Sequence, residues 1–261
     1  SIKELFKRPL NGRHFDLVID TQRVALATLV LWRIRHNEFI SPFGNFILST
    51  RKPVAGYSFP KLMQRQMLDL LEIATGQIIE TPTNLTLQID AVLVDAAKHA
   101  LPEGKAYVGL LPGSGGRPKC WPLNRFIEVA NAQARVNRVP VFILGPKELE
   151  WHREIAAKVP GALFPLQDER FVDKLTFEPQ WTIALSQRFS VSVSNDSGAG
   201  HMCATGGSPL ISLFGRTSPE KFRPMTSNLT IIKAQDYGGR EMHFIPVNVV
   251  NEAINAVLKK H

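Results

Sequence analysis

From Ala106 to its end, this chain alternates short, nearly unbroken apolar runs with segments of helical periodicity, and few folds tolerate that pattern. "AYVGLLPG" (106–113), "VPVFILG" (139–145), "GALFPL" (161–166), "SVSVSN" (190–195) and "PLISLFG" (209–215) have the length and apolar character of buried strands. Between them, "LNRFIEVANAQARVN" (123–137), "PKELEWHREIAAKV" (146–159) and "EPQWTIALSQRF" (178–189) carry helical spacing. A short helix is expected from about Gly198, and "VNVVNEAINAVLKK" (247–260) as a closing helix. Strands apolar along their whole length, each followed by a helix, imply a parallel sheet covered on both faces.

The first hundred residues are less regular. "FDLVID" (15–20) reads as a strand, and "TQRVALATLVLWRI" (21–34) as a helix with Thr21 near its cap. Residues 41–60 are rich in Pro, Gly and Ser and read as loop, and "KLMQRQMLDLLEIATG" (61–76) as a helix stopped by glycine. A mixed stretch ends at "LPEGK", which suggests domains over 1–103 and 104–246, with 247–261 closing the chain and able to pack back on the first domain. The most lipid-like stretch, "VALATLVLW" (24–32), is too short to span a bilayer and lies between Arg23 and Arg33, so it reads as a buried helix.

Ligands of such sheets sit beyond the carboxyl ends of the strands. Two loops there carry chemistry. In "PGSGGRPKCWP" (112–122), Gly113, Gly115 and Gly116 let backbone amides approach an anion, and Lys119 adds a point charge. No Gly-Lys-Ser/Thr follows, so this is neither a Walker loop nor, by spacing, a dinucleotide fingerprint. Alone it is a weak signal and reads better as an ordinary flexible turn. In "SNDSGAGH" (194–201), a helix starting near Gly198 would aim free amides and a positive dipole end at a phosphate, with His201 in its first turn. Asp196 would repel phosphate, so it either caps the helix, bonds a ligand hydroxyl or pairs with Lys119. A Ser-His-Asp hydrolase is disfavoured, because Ser197, Asp196 and His201 crowd one turn and there is no nucleophile elbow.

The formal charge of +8 favours anionic partners. Lys and Arg are scattered and no nucleic-acid motif is present, so nucleic acid is not an expected partner. Cys120 and Cys203 lie far apart without metal-ligand spacing, which makes a reducing, cytoplasmic compartment the default. With no Asp-x-Asp pair and no His/Cys cluster, neither metal nor cofactor is expected.

"FDLVIDTQ", "VGLLPGSGGRPKCWP", "VFILGPKELE" and "SNDSGAGHMCATGGSPLISLFGRTSPEKFRP" together resemble glycosyltransferase family 9, the ADP-heptose:lipopolysaccharide heptosyltransferases and their relatives. The likeness runs over roughly residues 10 to 255, dense in the second half and thin between 35 and 100. It implies an α/β fold of GT-B type, with two Rossmann-like domains built on parallel sheets. The second domain would hold a nucleotide-diphosphate sugar (ADP-heptose by family), and the first an anionic, lipid-linked saccharide acceptor. The donor-binding set it implies is Ser114, Gly115, Lys119, Glu148, Asp196, Ser197, Gly198 and His201, with Lys119 and His201 stabilising the leaving group. Glu150 competes with Glu148 for the place beside the nucleoside. Transfer would proceed with inversion, in the cytoplasm or peripherally at the inner face of the bacterial inner membrane.

The family pattern also places a strand and a Gly-Asp loop, whose aspartate is the general base, ahead of the "DLVID"-like segment. Here that segment begins at residue 16, so the first domain is expected to be incomplete by about two βαβ units, roughly 60–80 residues. Asp16 and Asp20 are expected to be structural or loop-facing, and the general base is not assigned. Two other readings stay open: a nucleotide-sugar-binding module without turnover, and a GT-B-like sugar-nucleotide epimerase.

Overall fold

The computed structural model describes residues 9–171 and 179–259. The chain divides into two compact units, the first ending at Thr81 and the second beginning at Pro82.

The first unit pairs β1 (His14–Ile19) in parallel with β2 (Arg35–Ile40), joined by helix α1 (Ala25–Trp32), and later adds α2 (Met63–Thr75). Gly76 ends α2 in the left-handed conformation at φ 70°, where its missing side chain removes the steric penalty. Asp20 follows β1 and is fully buried. Its carboxylate accepts from Thr28 Oγ1 at 2.6 Å, Ser41 Oγ at 2.8 Å and the Gln22 amide at 2.8 Å. A buried carboxylate needs such donors, and this one decides how α1 is turned. Thr28 is the helix's buried residue, and its apolar neighbours Leu26, Leu29, Val30 and Trp32 face outward. The expectation that 24–32 is buried is therefore corrected, because the inward face of the helix is committed to Asp20.

In the second unit, α3 (Ala91–Ala100) precedes five parallel strands: β3 (Tyr107–Leu111), β4 (Val139–Phe142), β5 (Val191–Asn195), β6 (Leu210–Phe214) and β7 (Leu229–Lys233). Their spatial order is β4-β3-β5-β6-β7. Leu163 adds one parallel bridge to Val141 at the β4 edge, so "GALFPL" forms a single bridge instead of a full strand. Pro165 removes an amide donor within that segment.

Helices α4 (Leu123–Ala134), α5 (His152–Lys158), α6 (Pro179–Ser186), α7 (Gly198–Thr205), α8 (Pro219–Phe222) and α9 (Val247–Leu258) complete the unit. One core joins Val108, Leu110 and Val193 to Trp121 and Phe126 and to Val250 and Ile254 of α9. The other joins Tyr107, Leu111 and Val141 to Trp181, Ala184 and Cys203, together with Leu93 and Ala97 of α3. Because α3 buries its apolar stripe in this second core, the division falls at 81/82, earlier than 103/104. The apolar face of α9 likewise lies in this unit's own core.

Four of these strands and helices went unanticipated: β2, α3, α8 and β7. The helix expected over 146–159 starts later, with a 3-10 turn at Leu149–Trp151 leading into α5. The expected helix ends at Glu178 and Lys260 lie outside the described residues. Both cysteines are free thiols, and burial pushes the Cys203 thiol up to about 12.

Candidate functional site

The strand order reverses between β3 and β5. From β3 the chain crosses outward to β4, whereas from β5 it proceeds the other way to β6. The crevice beyond the carboxyl ends of these two strands is the ligand position of an open parallel sheet.

Asn195 builds that crevice. The β3–β5 ladder runs to the Leu111–Ser194 pair, and the next residue of the first chain segment is Pro112, which has no amide proton. Here a side chain continues the pairing. Asn195 Nδ2 donates to Pro112 O at 2.8 Å, and its Oδ1 accepts from the Trp121 amide at 2.9 Å. Both ends of the glycine-rich loop 112–121 thus hang from one fully buried amide. Trp121 is fixed in turn by its indole N–H, which donates to Ile245 O at 3.0 Å.

Helix α7 approaches β5 closely because the facing residues are small. A Cβ on Gly200 would stand 3.0 Å from Ser194 Oγ, and the serines of "SVSVSN" supply that face with little bulk. Seated this way, α7 brings Ser197, Gly198 and Ala199 to the crevice, where its first amides have no partner within the helix. Ser197 occupies the cap position without a side-chain cap bond, and Asp196 precedes it. Ser114 Oγ donates to Asp196 O at 3.3 Å, which joins the two loops a second time.

Between the loops lies a cavity of about 360 Å³. Ser114, Gly115, Glu148, Ser197 and Gly198, all expected site residues, line it together with Gly113. Its apolar wall is Ile143, Leu166 and Met202. Thr182 and Lys147 also line it; neither was anticipated. Thr182 carried no local signal, but Lys147 stands next to Glu148 in the loop already singled out.

The geometry separates Glu148 from Glu150. Glu148 lies in the cavity against two glycines: a Cβ on Gly113 would be 2.8 Å from its Cδ, and one on Gly145 would be 2.8 Å from its Oε2. Glu150 is outside, paired with Arg117, whose guanidinium stacks over Trp151 at 4.3 Å. Burial raises the Glu148 carboxyl above its ordinary value, against the opposing influence of Arg117. A carboxyl raised by folding favours the native state most at pH values below its unfolded pKa, and that advantage is lost as pH rises through the raised value. Glu148→Gln is accordingly expected to melt above the wild type at neutral pH, with the gap shrinking toward pH 4. A melting series showing a constant or inverted gap would contradict this environment for Glu148.

Three expected residues, Lys119, Asp196 and His201, stand apart from the cavity lining. Lys119 ends the 3-10 turn Arg117–Lys119; it is exposed and makes no ion pair with a described residue, Asp196 included. The His201 imidazole is held by the Phe222 backbone and lies beside Asp196. Burial lowers its pKa, which the neighbouring carboxylate opposes.

The arrangement offers an anion-binding helix end, a glycine-rich loop, a carboxylate for hydroxyls and an apolar slot for a flat ring. The sequence family described as glycosyltransferase family 9 (heptosyltransferase) matches residues 4–243. The fold is similar to that of a family 9 glycosyl transferase from Veillonella parvula, at 19% identity and TM-score 0.73, over 94% of this chain and 74% of that one. It is also similar to Escherichia coli ADP-heptose lps heptosyltransferase II, at 20% identity and TM-score 0.69, covering 94% and 76%. The E. coli heptosyltransferase WaaC, solved with ADP, shares 16% identity at TM-score 0.67, covering 98% and 77%. These proteins have the α/β architecture of GT-B glycosyltransferases. No curated protein sequence matches the chain.

Proposed function

The chain belongs to glycosyltransferase family 9, and from that premise we propose that the cavity between β3 and β5 seats the nucleoside diphosphate of an activated sugar. The observation that carries the reading is the meeting of three donor or acceptor sets at one crevice: the loop 113–115, the amides opening α7, and the Glu148 carboxylate. Glu148 would accept from ribose hydroxyls, and the apolar wall of Ile143, Leu166 and Met202 would hold the base. An ADP-sugar fits this reading, since the similar WaaC was solved with ADP and with ADP-2-deoxy-2-fluoro heptose. The sugar would be a heptose, and the acceptor an anionic, lipid-linked saccharide of the lipopolysaccharide-core type, approached from the inner face of the membrane. No helix among the described residues is long and apolar enough to cross a membrane.

Sugar transfer leaves negative charge on the departing diphosphate, so catalysis needs positive potential there in the transition state. The α7 amides supply fixed dipoles, and Lys119, exposed and uncommitted, can swing to the β-phosphate. His201, whose pKa burial lowers and whose ring already bonds the Phe222 backbone, could donate to the departing diphosphate only as the imidazolium, the form a bound anion favours. With both carboxylate oxygens of Asp20 taken by hydrogen bonds, that residue is structural. Inversion requires a base on the acceptor hydroxyl, and no described residue is assigned to it.

Lys119→Ala is expected to weaken ADP binding by a charge-assisted hydrogen bond, about 1.5–3 kcal/mol, with the melting temperature little changed. Calorimetric titration with ADP, GDP and UDP, on wild type and variant, tests both base preference and lysine. An unchanged ADP constant in the variant would remove Lys119 from the site. Asp196→Asn should retain stability but lose discrimination between the nucleotide-sugar and the bare nucleotide. Equal affinities to wild type for both ligands would exclude a sugar contact at Asp196.

A further inference from the structure

The cavity beyond β3 and β5 has a polar side chain that the diphosphate and ribose contacts leave unused. Ser114 Oγ donates to Asp196 O, Ser197 Oγ is bonded to Ser194 Oγ at 3.2 Å, Glu148 lies against the two glycines, and Lys147 is exposed. Thr182 differs from all four. It is only 5% exposed, and its hydroxyl makes no hydrogen bond to a described residue. The side chain lines the cavity, and its oxygen is not sealed inside the protein. Hydroxyls buried this deeply are ordinarily bonded within the protein, so one left open on a cavity points to a ligand group.

Its surroundings say which group. Helices α6 and α7 are joined in the second core through Trp181 and Ala184 on one and Cys203 and Ala204 on the other. That packing leaves Thr182 of α6 and Met202 of α7 to line the cavity together. The Leu166 turn is pinned to the end of β4, because Gln167 Nε2 donates to Leu144 O at 3.1 Å. A wall of Ile143, Leu166 and Met202 accepts the face of a flat ring, but it would bury the ring's polar edge without a partner, at a cost that a hydroxyl relieves. The exocyclic group of a purine projects furthest from the ring, so it is the group that reaches the deepest polar atom.

We infer that Thr182 is the residue that reads the base: its hydroxyl accepts from the 6-amino group of an adenine lying against Ile143, Leu166 and Met202. The inference deepens the nucleoside-diphosphate reading of this cavity and rests on it.

The test is calorimetric titration of wild type, Thr182→Val and Thr182→Ser with ADP and with purine riboside 5′-diphosphate, which lacks the 6-amino group. Valine keeps the branched shape of threonine without its hydroxyl. Thr182→Val is expected to bind ADP about tenfold more weakly than wild type, yet to bind the analogue within about twofold. Thr182→Ser, which keeps the hydroxyl, should stay near wild type for ADP. Since the hydroxyl has no protein partner to lose, Thr182→Val should melt at or above wild type; a merely structural hydroxyl would lower the melting temperature on removal. The inference is overturned if Thr182→Val binds ADP as wild type does, if it weakens both ligands equally, if Thr182→Ser loses as much as Thr182→Val, or if Thr182→Val melts well below wild type. Wild type failing to bind ADP would overturn the nucleotide reading of the cavity too, whereas wild type binding ADP with Thr182→Val unchanged overturns the role of Thr182 alone.

Discussion

Asn195→Leu is expected to be among the most damaging single substitutions in the second unit, destabilising it by about 2–5 kcal/mol. Leucine keeps asparagine's branched outline but is bulkier, so some overpacking of this buried site adds to the lost hydrogen bonds. It leaves Pro112 O and the Trp121 amide without their partner in a fully buried position, and each orphaned group costs about 1–3 kcal/mol. Against a typical total of about 5–15 kcal/mol, that is a large fraction. Urea denaturation should show a lower midpoint at unchanged slope, and ADP affinity should fall because the 112–121 loop loses both anchors. Asn195→Asp keeps the acceptor for Trp121 but sets an oxygen against Pro112 O, so its stability should fall well below the wild type's too. A wild-type midpoint in both variants would show that the loop is held by something other than this amide.

The second large effect is expected at Glu148. If its carboxylate binds the ribose hydroxyls, Glu148→Ala should weaken ADP by about 3 kcal/mol, near a hundredfold, with 2′,3′-dideoxy-ADP affected far less. Gly113→Ala offers an independent approach to the same interaction. The added methyl would meet Glu148 Cδ at 2.8 Å, and a flexible side chain can yield by moving out of the cavity. Gly113→Ala should therefore fold normally and still lose ADP affinity. Combined with Glu148→Ala it should add little, because both changes act on one contact. Additive losses would mean that Gly113 contacts the ligand in its own right and that the carboxylate position is incidental.

The parts of this architecture that were legible in the sequence share one physical property. Strands β3, β4, β5 and β6 are buried on both faces, so they appear as unbroken apolar runs of strand length. Strand β2, "RHNEFI", escaped notice because its first four residues are all polar and none of them is buried. The helix α3 carries a normal amphipathic stripe, but it follows a long irregular stretch and was absorbed into the supposed connection. The 3-10 turn after Glu148 was hidden for a different reason. "PKELEWHREIAAKV" has helical composition throughout, and only the space between Gly113 and Gly145 pulls its first turn out of line.

By itself, the sequence determined a parallel sheet covered on both faces, and it marked the glycine-rich loops after β3 and β5 at the carboxyl ends of its strands. It did so because strand burial, glycine placement and helix starts are local properties, encoded within a few residues. Tertiary structure alone decided which side chains act together. Asn195 reaches partners 83 and 74 positions away, and no local pattern marks an asparagine as the hanger of a distant loop. Glu148 and Glu150 are two residues apart and chemically identical; what separates them is that two glycines from different strand ends leave room for one carboxylate. The outward turn of α1 has the same origin, since an apolar helix sequence cannot announce that a buried aspartate will claim its single threonine.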